Sequence, residues 1–329
     1  IHEQLPMAST TKIMTALLTL ERQDLQEEFT VDDTAILTEG TSMGLQKGDT
    51  VTLYALAVGM LLSSGNDAAG AAAVRLCGSL AEFAREMNRR AASLGMNNTH
   101  FVTPSGLDAE DHYSTAYDMA LLARAALQNP LFAEIVAARR LTVWYGQPPY
   151  ARSLLNHNRL LSLYGDAIGV KTGFTKAAGR ILVSSATRQG RRIIGVTIDA
   201  PDDWNDHKYL LDEAFKNYRM LSYCGDSFKV SLPVASAIKT VADAVPKNDI
   251  RMLIKSDDEV NVSIEAPRIL FAGGIAGQIV GQMKVLINGE LAAQEDLVYT
   301  EDVVQSPDQK LSTHERFMRM FETMFGPYY

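Results

Sequence analysis

Apolar and polar positions along the chain follow two different periods, and the change between them falls near residue 225. Before it, apolar residues gather in runs with helical spacing. After it they alternate, as strands with one buried face do. Residues 8–21 open the first regime: Ile13, Met14, Ala16, Leu17, Leu18 and Leu20 leave few polar positions, which predicts a buried helix rather than an amphipathic one. Residues 27–38 alternate and predict an extended segment, while 41–48, with Gly44 and Gly48, predict a loop. A second apolar helix is predicted over 50–62, capped from Thr50-Val51-Thr52. It stops at Ser63-Ser64-Gly65-Asn66. An alanine-rich helix over 67–76 follows, with Asp67 at its positive end, and Ser79 with Glu82 forms a capping-box signature for a helix to about Leu94.

Residues 96–111 read as a loop marked by Asn97, Asn98, Pro104 and Gly106, 115–128 as an amphipathic helix, and 139–145 as a strand. Strand-like runs at 181–186 and 193–198 are joined through Gln189-Gly190, and a helix over 205–218 closes the first unit. Beyond it, runs at 228–234, 238–241, 251–254, 260–265, 279–287 and 297–299 predict a β-rich unit, with Asn288-Gly289 a hairpin turn. Ser312 and Glu315 then cap a segment whose Phe317, Met318, Met320, Phe321, Met324 and Phe325 share one helical face. It is too short to span a bilayer. It either lies in the membrane interface or packs on the protein. The pattern thus divides the chain into 1–225, 226–308 and 309–329.

Composition narrows the class. A length of 329 residues with 47% hydrophobic and 21% charged content fits a folded chain with more than one domain. A net charge of −8 argues against nucleic acid as the main partner. Two cysteines, Cys77 and Cys224, are too few for a disulfide framework and read as unpaired thiols. The six histidines have no metal-ligand spacing. Ile1 to Pro6 is no signal peptide, so the chain reads as a mature form.

The chemistry concentrates at Ser9-Thr10-Thr11-Lys12. On a helix, residues three apart share a face, which brings the Ser9 hydroxyl within reach of the Lys12 amine. A lysine walled in by apolar side chains loses affinity for its proton and can activate a serine. Alone, this spacing is common. Two more motifs follow in order, Ser64-Gly65-Asn66 on a turn between helices and Lys171-Thr172-Gly173 on a strand-like stretch before a hairpin. Together the three form the set used by serine β-lactamases and penicillin-binding proteins. The second unit has no nucleophile–base pair of its own, which predicts a structural or positioning role.

On these motifs, and on Ser64 through Ala69, Thr99-His100-Phe101, Pro104 through Leu107 and Gly169 through Thr175 with Ala178-Gly179, the chain resembles the serine D-alanyl-D-alanine carboxypeptidases among the low-molecular-mass penicillin-binding proteins. The likeness is close to about residue 220. It implies an α+β fold: a transpeptidase-like domain with an antiparallel sheet flanked by helices, then a smaller β-rich domain and a C-terminal amphipathic helix. It implies removal of the terminal D-alanine from peptidoglycan stem pentapeptides, acylation by β-lactams, no cofactor, and a place at the outer face of the bacterial cytoplasmic membrane or secreted, with the C-terminal helix on the membrane surface. Ser9 would be the nucleophile and Lys12 its base. Ser64 and Asn66 would relay protons and hold the substrate amide, and Lys171 would set the electrostatics. Thr172, Gly173, Phe174 and Thr175 would flank the substrate, with the backbone N–H groups of Ser9 and Phe174 as oxyanion hole.

Two departures stand out. Some relatives grip the substrate carboxylate with an arginine after the hairpin, where this chain reads Asp202-Asp203-Trp204-Asn205-Asp206-His207. Relatives also have a strand or hairpin before the nucleophile, where this chain has six residues before Met7. Two other readings keep the motifs: a class A-like β-lactamase, which needs a further glutamate where this chain offers only Glu110 and Glu134 out of context, and a non-catalytic peptidoglycan- or β-lactam-sensing module, against which intact Ser9, Lys12, Asn66 and Lys171 count.

Overall fold

The computed structural model describes residues 1–306 together with 314, 317, 318, 320 and 321. The chain divides between Phe215 and Lys216 into two units. In the first, a 3-10 turn, Ala8–Thr11, runs directly into α1 (Lys12–Leu20), every residue of which is buried. The nucleophile candidate therefore sits on the tighter turn rather than on the α-helix expected over 8–21. The chain then forms β1 (Glu28–Thr30), β2 (Thr50–Thr52), α2 (Leu53–Leu62), α3 (Asn66–Cys77) and α4 (Leu80–Ser93). There follow α5 (Ala116–Ala126), α6 (Pro130–Ala137), β3 (Arg140–Gly146), β4 (Pro149–Leu155), α7 (Leu160–Leu163), β5 (Ala167–Thr175), β6 (Gly179–Arg188), β7 (Arg191–Thr197) and α8 (Asp203–Asn217).

Side-chain caps set several helix starts. Thr52 accepts from the Ala55 N–H, Ser79 from Glu82 and Thr115 from Asp118. Helix α6 was not anticipated from the sequence, although Asn129 caps it twice and Pro130 occupies its first turn. Only β1 forms within the extended run expected over 27–38, because the Asp32 carboxylate accepts from the Thr34 and Ala35 N–H groups and turns the chain. Strand β4 was also unforeseen; its exposed face mixes Ala151, Ser153 and Leu155 and carries no alternation to read.

Strands β1 to β4 form one antiparallel sheet in sequence order, and β5, β6 and β7 another. The β6–β7 turn uses Gln189 and Gly190 at φ 50° and 75°, the paired left-handed geometry of a tight hairpin. β5 is an edge strand of its sheet. The core of the unit is built on α1, with Met14 and Leu17 packed among Leu56, Met60, Ala72 and Phe132.

Asp67 does more than face the positive end of α3. Its buried carboxylate accepts from the N–H groups of Met43, Gly44 and Leu45 at 2.9, 3.1 and 2.9 Å and from the Ser42 hydroxyl at 2.6 Å, fastening the 41–45 loop to the helix start.

The second unit holds β8 (Tyr218–Tyr223), β9 (Val230–Ala235), β10 (Val241–Pro246), β11 (Ile250–Lys255), β12 (Val260–Glu265), β13 (Leu270–Phe271), β14 (Ile279–Ile287) and β15 (Glu290–Tyr299). One sheet has the order β12-β14-β15-β10-β9-β13, and β8 pairs with β11. That pairing explains why the division precedes the composition change at 225: β8 follows α8 without a break yet belongs to the second unit. Residues 238–240 are a turn rather than the strand expected there, since Ser236 adopts φ 61° and Ala237 bridges to Gln305. Asn288 and Gly289 make the expected β14–β15 turn. Cys77 and Cys224 are unpaired and half-buried.

Of the expected terminal helix, the described residues are His314, Phe317, Met318, Met320 and Phe321. Phe317 and Phe321 stack at 6.2 Å, and Phe317, Met318 and Met320 are exposed. Met324 and Phe325 lie outside the described residues.

Replacing Asp67 by alanine strands the Met43 and Leu45 N–H groups, while that of Gly44 keeps Ser42 Oγ, and is expected to lower the unfolding free energy by about 2 kcal/mol or more, read from urea unfolding. A loss below about 1 kcal/mol would mean that other contacts hold the 41–45 loop.

Candidate active site

A cleft of about 500 Å³ opens in the first unit, and the sequence motifs converge on it. Ser9, Ser64, Asn66, Thr172, Gly173, Phe174 and Thr175 line it, while Lys12 and Lys171 lie buried beneath. The 3-10 turn presents Ser9, the α2–α3 turn presents Ser64 and Asn66, and β5 runs along the third wall. Two residues in this frame are held in the left-handed backbone region, Ala8 at φ 45° and Ser64 at φ 59°. Such strain in residues other than glycine persists where packing over-determines it, and here it flanks the nucleophile candidate and carries the second serine.

Lys12 Nζ lies 2.9 Å from Ser9 Oγ, 2.6 Å from Asn66 Oδ1 and 2.6 Å from the Ser105 carbonyl. The orientation of the Asn66 amide follows from its neighbours, since its Nδ2 donates to the Glu39 carbonyl at 2.6 Å and leaves Oδ1 for Lys12. A neutral amine has two N–H groups and one lone pair. Asn66 Oδ1 and the Ser105 carbonyl can only accept, so they use both N–H groups, and the lone pair is left facing the Ser9 hydroxyl.

Burial keeps the amine in that state. Desolvation pushes the Lys12 pKa well below its ordinary value, Lys171 adds to the effect, and Asp67 opposes it. Lys171 Nζ donates to the Thr172 carbonyl at 2.9 Å and lies 3.1 Å from Ser64 Oγ. Burial lowers its pKa from 10.5 to about 7. Two hydroxyl–amine pairs, Ser9 with Lys12 and Ser64 with Lys171, thus stand around one cleft; burial weakens the hold of both amines on their protons, and Lys171 can give or take one near neutral pH. Among the described residues no group of three or more His, Cys, Asp or Glu side chains is placed to hold a metal ion.

Residues 1–202 match the D-alanyl-D-alanine carboxypeptidase family, more than half of the chain. The chain belongs to that family. It is 31% identical over 322 residues to the D-alanyl-D-alanine carboxypeptidase DacF of Bacillus subtilis, covering 92% of this chain and 80% of that protein. It is 32% identical over 330 residues to DacC of Escherichia coli, covering 92% and 79%. The crystal structure of penicillin binding protein 5 from Haemophilus influenzae superposes with a TM-score of 0.69 at 27% identity, covering 92% of each chain.

Within this carboxypeptidase frame, several cleft residues escaped the sequence reading. Thr41, Leu107, His157, Arg159, Arg180, Asp203 and Trp204 all line the cleft. Residues 202–207 hold no arginine, but two reach the cleft from elsewhere, Arg159 from before α7 and Arg180 from β6. Arg180 donates to both oxygens of the buried Asp203 at 2.8 and 2.9 Å and lies over the Trp204 ring. Thr175 Oγ1 donates to Asp108 at 2.9 Å and accepts from the Ala178 N–H, which fixes the end of β5. Asp203 and Trp204 precede the helix expected over 205–218 and were read only as part of a stretch without an arginine; the structure makes them the first residues of α8.

The lowered pKa of Lys171 has a stability consequence with a definite sign. Between about 7 and 10.5 the unfolded chain binds a proton at this residue that the folded chain does not, so the destabilisation is full below about 7 and vanishes above 10.5. The difference in unfolding free energy between wild type and Lys171→Met should therefore move in favour of the wild type as pH rises from 7 to 10. A difference independent of pH would show that Lys171 keeps an ordinary pKa in the folded protein.

Proposed function

We propose that this protein cleaves the terminal D-alanine from peptidoglycan stem peptides ending in D-alanyl-D-alanine, through an acyl-enzyme on Ser9. The observation that carries the reading is the contact set of Lys12: two pure acceptors at 2.6 Å and Ser9 Oγ at 2.9 Å, an arrangement that in the neutral amine leaves the lone pair for the Ser9 hydroxyl. Ser9 Oγ attacks the penultimate carbonyl while Lys12 takes its proton. The backbone N–H groups of Ser9 and Phe174 stabilise the oxyanion. The departing amine is protonated from the Ser64 hydroxyl, which Lys171 resupplies. Water then releases the shortened peptide.

An extended peptide pairs along the free edge of β5 beside Thr172, Gly173, Phe174 and Thr175. Arg159 and Arg180, the guanidinium groups at the cleft, take the place of the arginine missing after the hairpin in holding the terminal carboxylate. A β-lactam acylates Ser9 by the same attack. Labelling by fluorescent penicillin separates a non-catalytic module from both enzymes, and the lifetime of the adduct separates the enzymes, since a β-lactamase hydrolyses it quickly.

Ser9→Ala removes one oxygen from the cleft and should abolish both D-alanine release from a D-alanyl-D-alanine-ended peptide, followed by mass spectrometry, and covalent labelling by fluorescent penicillin. Labelling that persists in this variant would refute the assignment of Ser9.

The substrate lies outside the cytoplasmic membrane, which makes this an extracytoplasmic protein. Among the described residues no helix is long and apolar enough to cross a membrane. The C-terminal segment instead rests on the membrane surface, a reading supported by the exposed Phe317, Met318 and Met320 and by the alternating Arg316, Arg319 and Glu322 of its sequence. At about 1.5–3 kcal/mol per fully buried large apolar side chain, a few such residues suffice for reversible binding. Deleting residues 312–329 should release the protein from anionic lipid vesicles in a flotation assay and leave activity on soluble peptide intact. Equal vesicle binding by the truncated form would place the contact elsewhere.

A further inference from the structure

The mechanism leaves one buried titratable side chain beside the nucleophile turn unused. His112 is 5% exposed, and its two ring nitrogens hold different segments. Nδ1 lies 2.9 Å from the Val102 N–H nitrogen and 3.3 Å from that of Thr103. Both are donors, so Nδ1 carries the lone pair and the proton resides on Nε2. Nε2 lies 2.9 Å from Thr11 Oγ1 and donates to it. Thr11 is wholly buried and immediately precedes Lys12.

The segment gripped by Nδ1 is the one that supplies an acceptor to Lys12. From Thr103 the chain turns through Pro104, whose carbonyl accepts from Thr15 Oγ1 at 2.6 Å, to Ser105, whose carbonyl accepts from Lys12 Nζ at 2.6 Å. Thr103 Oγ1 closes the turn by accepting from the Gly106 N–H. Gly106 is required there: it has φ 82°, and a Cβ would stand 1.9 Å from the Ala8 carbonyl oxygen. One imidazole therefore ties the nucleophile turn, through Thr11, to the root of the loop that presents the Ser105 carbonyl.

The geometry points to His112 as a positioning residue that keeps the Ser105 carbonyl on the Lys12 amine and so keeps the amine's lone pair directed at Ser9. The inference rests on the proposed role of Lys12 as base and goes beyond it by assigning what holds that base in register. The ring must be neutral to act, because a protonated Nδ1 would face two N–H donors. Burial does this, lowering its pKa to about 4; His100 acts in the same direction and Asp108 against it. When the ring is lost, the loop relaxes, one Lys12 N–H loses its acceptor, water reaches the amine, and its charged form is better solvated.

The test is the second-order rate of acylation by fluorescent penicillin between pH 5 and 10, for wild type, His112→Gln and His112→Asn. Glutamine keeps a donor for Thr11 but loses the acceptor for Val102 and Thr103; asparagine keeps an acceptor near Nδ1. His112→Gln should be acylated about 10- to 100-fold more slowly at pH 7. Its profile should shift upward by about one pH unit, so that the deficit shrinks at pH 10. His112→Asn should recover most of the rate. A folded His112→Gln acylated within about twofold of wild type, with an unshifted profile, would overturn the inference. Should neither variant fold, nitrogen-15 NMR of the wild-type ring decides: the Nε2–H tautomer persisting down to about pH 5 supports the clamp, and protonation near 6.5 with no change in acylation removes it. A wild type that penicillin does not label at all refutes the proposed function instead.

Discussion

An amine sealed from water governs this site. Lys12 lies at the start of a helix with no exposed residue, and a charge there would cost several kcal/mol in lost solvation. The neutral form escapes that cost, and a neutral amine has a lone pair to direct. Its direction is decided by acceptors that arrive from far along the chain, Asn66 from the α2–α3 turn and the Ser105 carbonyl from the loop before α5. The apolar character of α1 therefore both builds the core and disfavours the charge on Lys12.

The surrounding loops can be understood as supports for that arrangement. Asp67 spends its carboxylate on the N–H groups of 43–45. The same loop region supplies the Glu39 carbonyl that orients Asn66 and the Thr41 side chain that donates to the Ser64 carbonyl at 2.6 Å. Ser64 in turn is held in left-handed geometry next to Lys171. A chain of short contacts thus links the acidic helix start to both amines.

The outer wall of the cleft follows a different principle. The guanidinium of Arg180 is compensated by buried Asp203 and fixed against Trp204, whereas no ion pair among the described residues involves Arg159. Phe174 is exposed on the β5 edge, where a rigid aromatic ring can cover a peptide without a polar group of its own. The two amines are buried and hydrogen-bonded beneath the cleft, while Arg180 and Phe174 stand where a substrate can reach them.

What the sequence determined by itself was local. Ser9 and Lys12 meet because residues three apart on one turn share a face. The period of apolar positions separates the helical first unit from the β-rich second, and caps such as Ser79 and turns such as Asn288-Gly289 follow from short-range hydrogen bonding and backbone freedom. Tertiary structure decided whatever depends on residues distant in sequence or on the backbone itself. The Ser105 carbonyl has no side-chain signature, and Arg159, Arg180 and His112 acquire meaning only beside partners from other elements. Strand β8 went unread, its first residue taken as the end of a helix, because only the pairing with β11 defines it. Adjacent residues announce their geometry because a few dihedral angles connect them, whereas contacts such as His112 with Thr11 depend on every angle of the chain between.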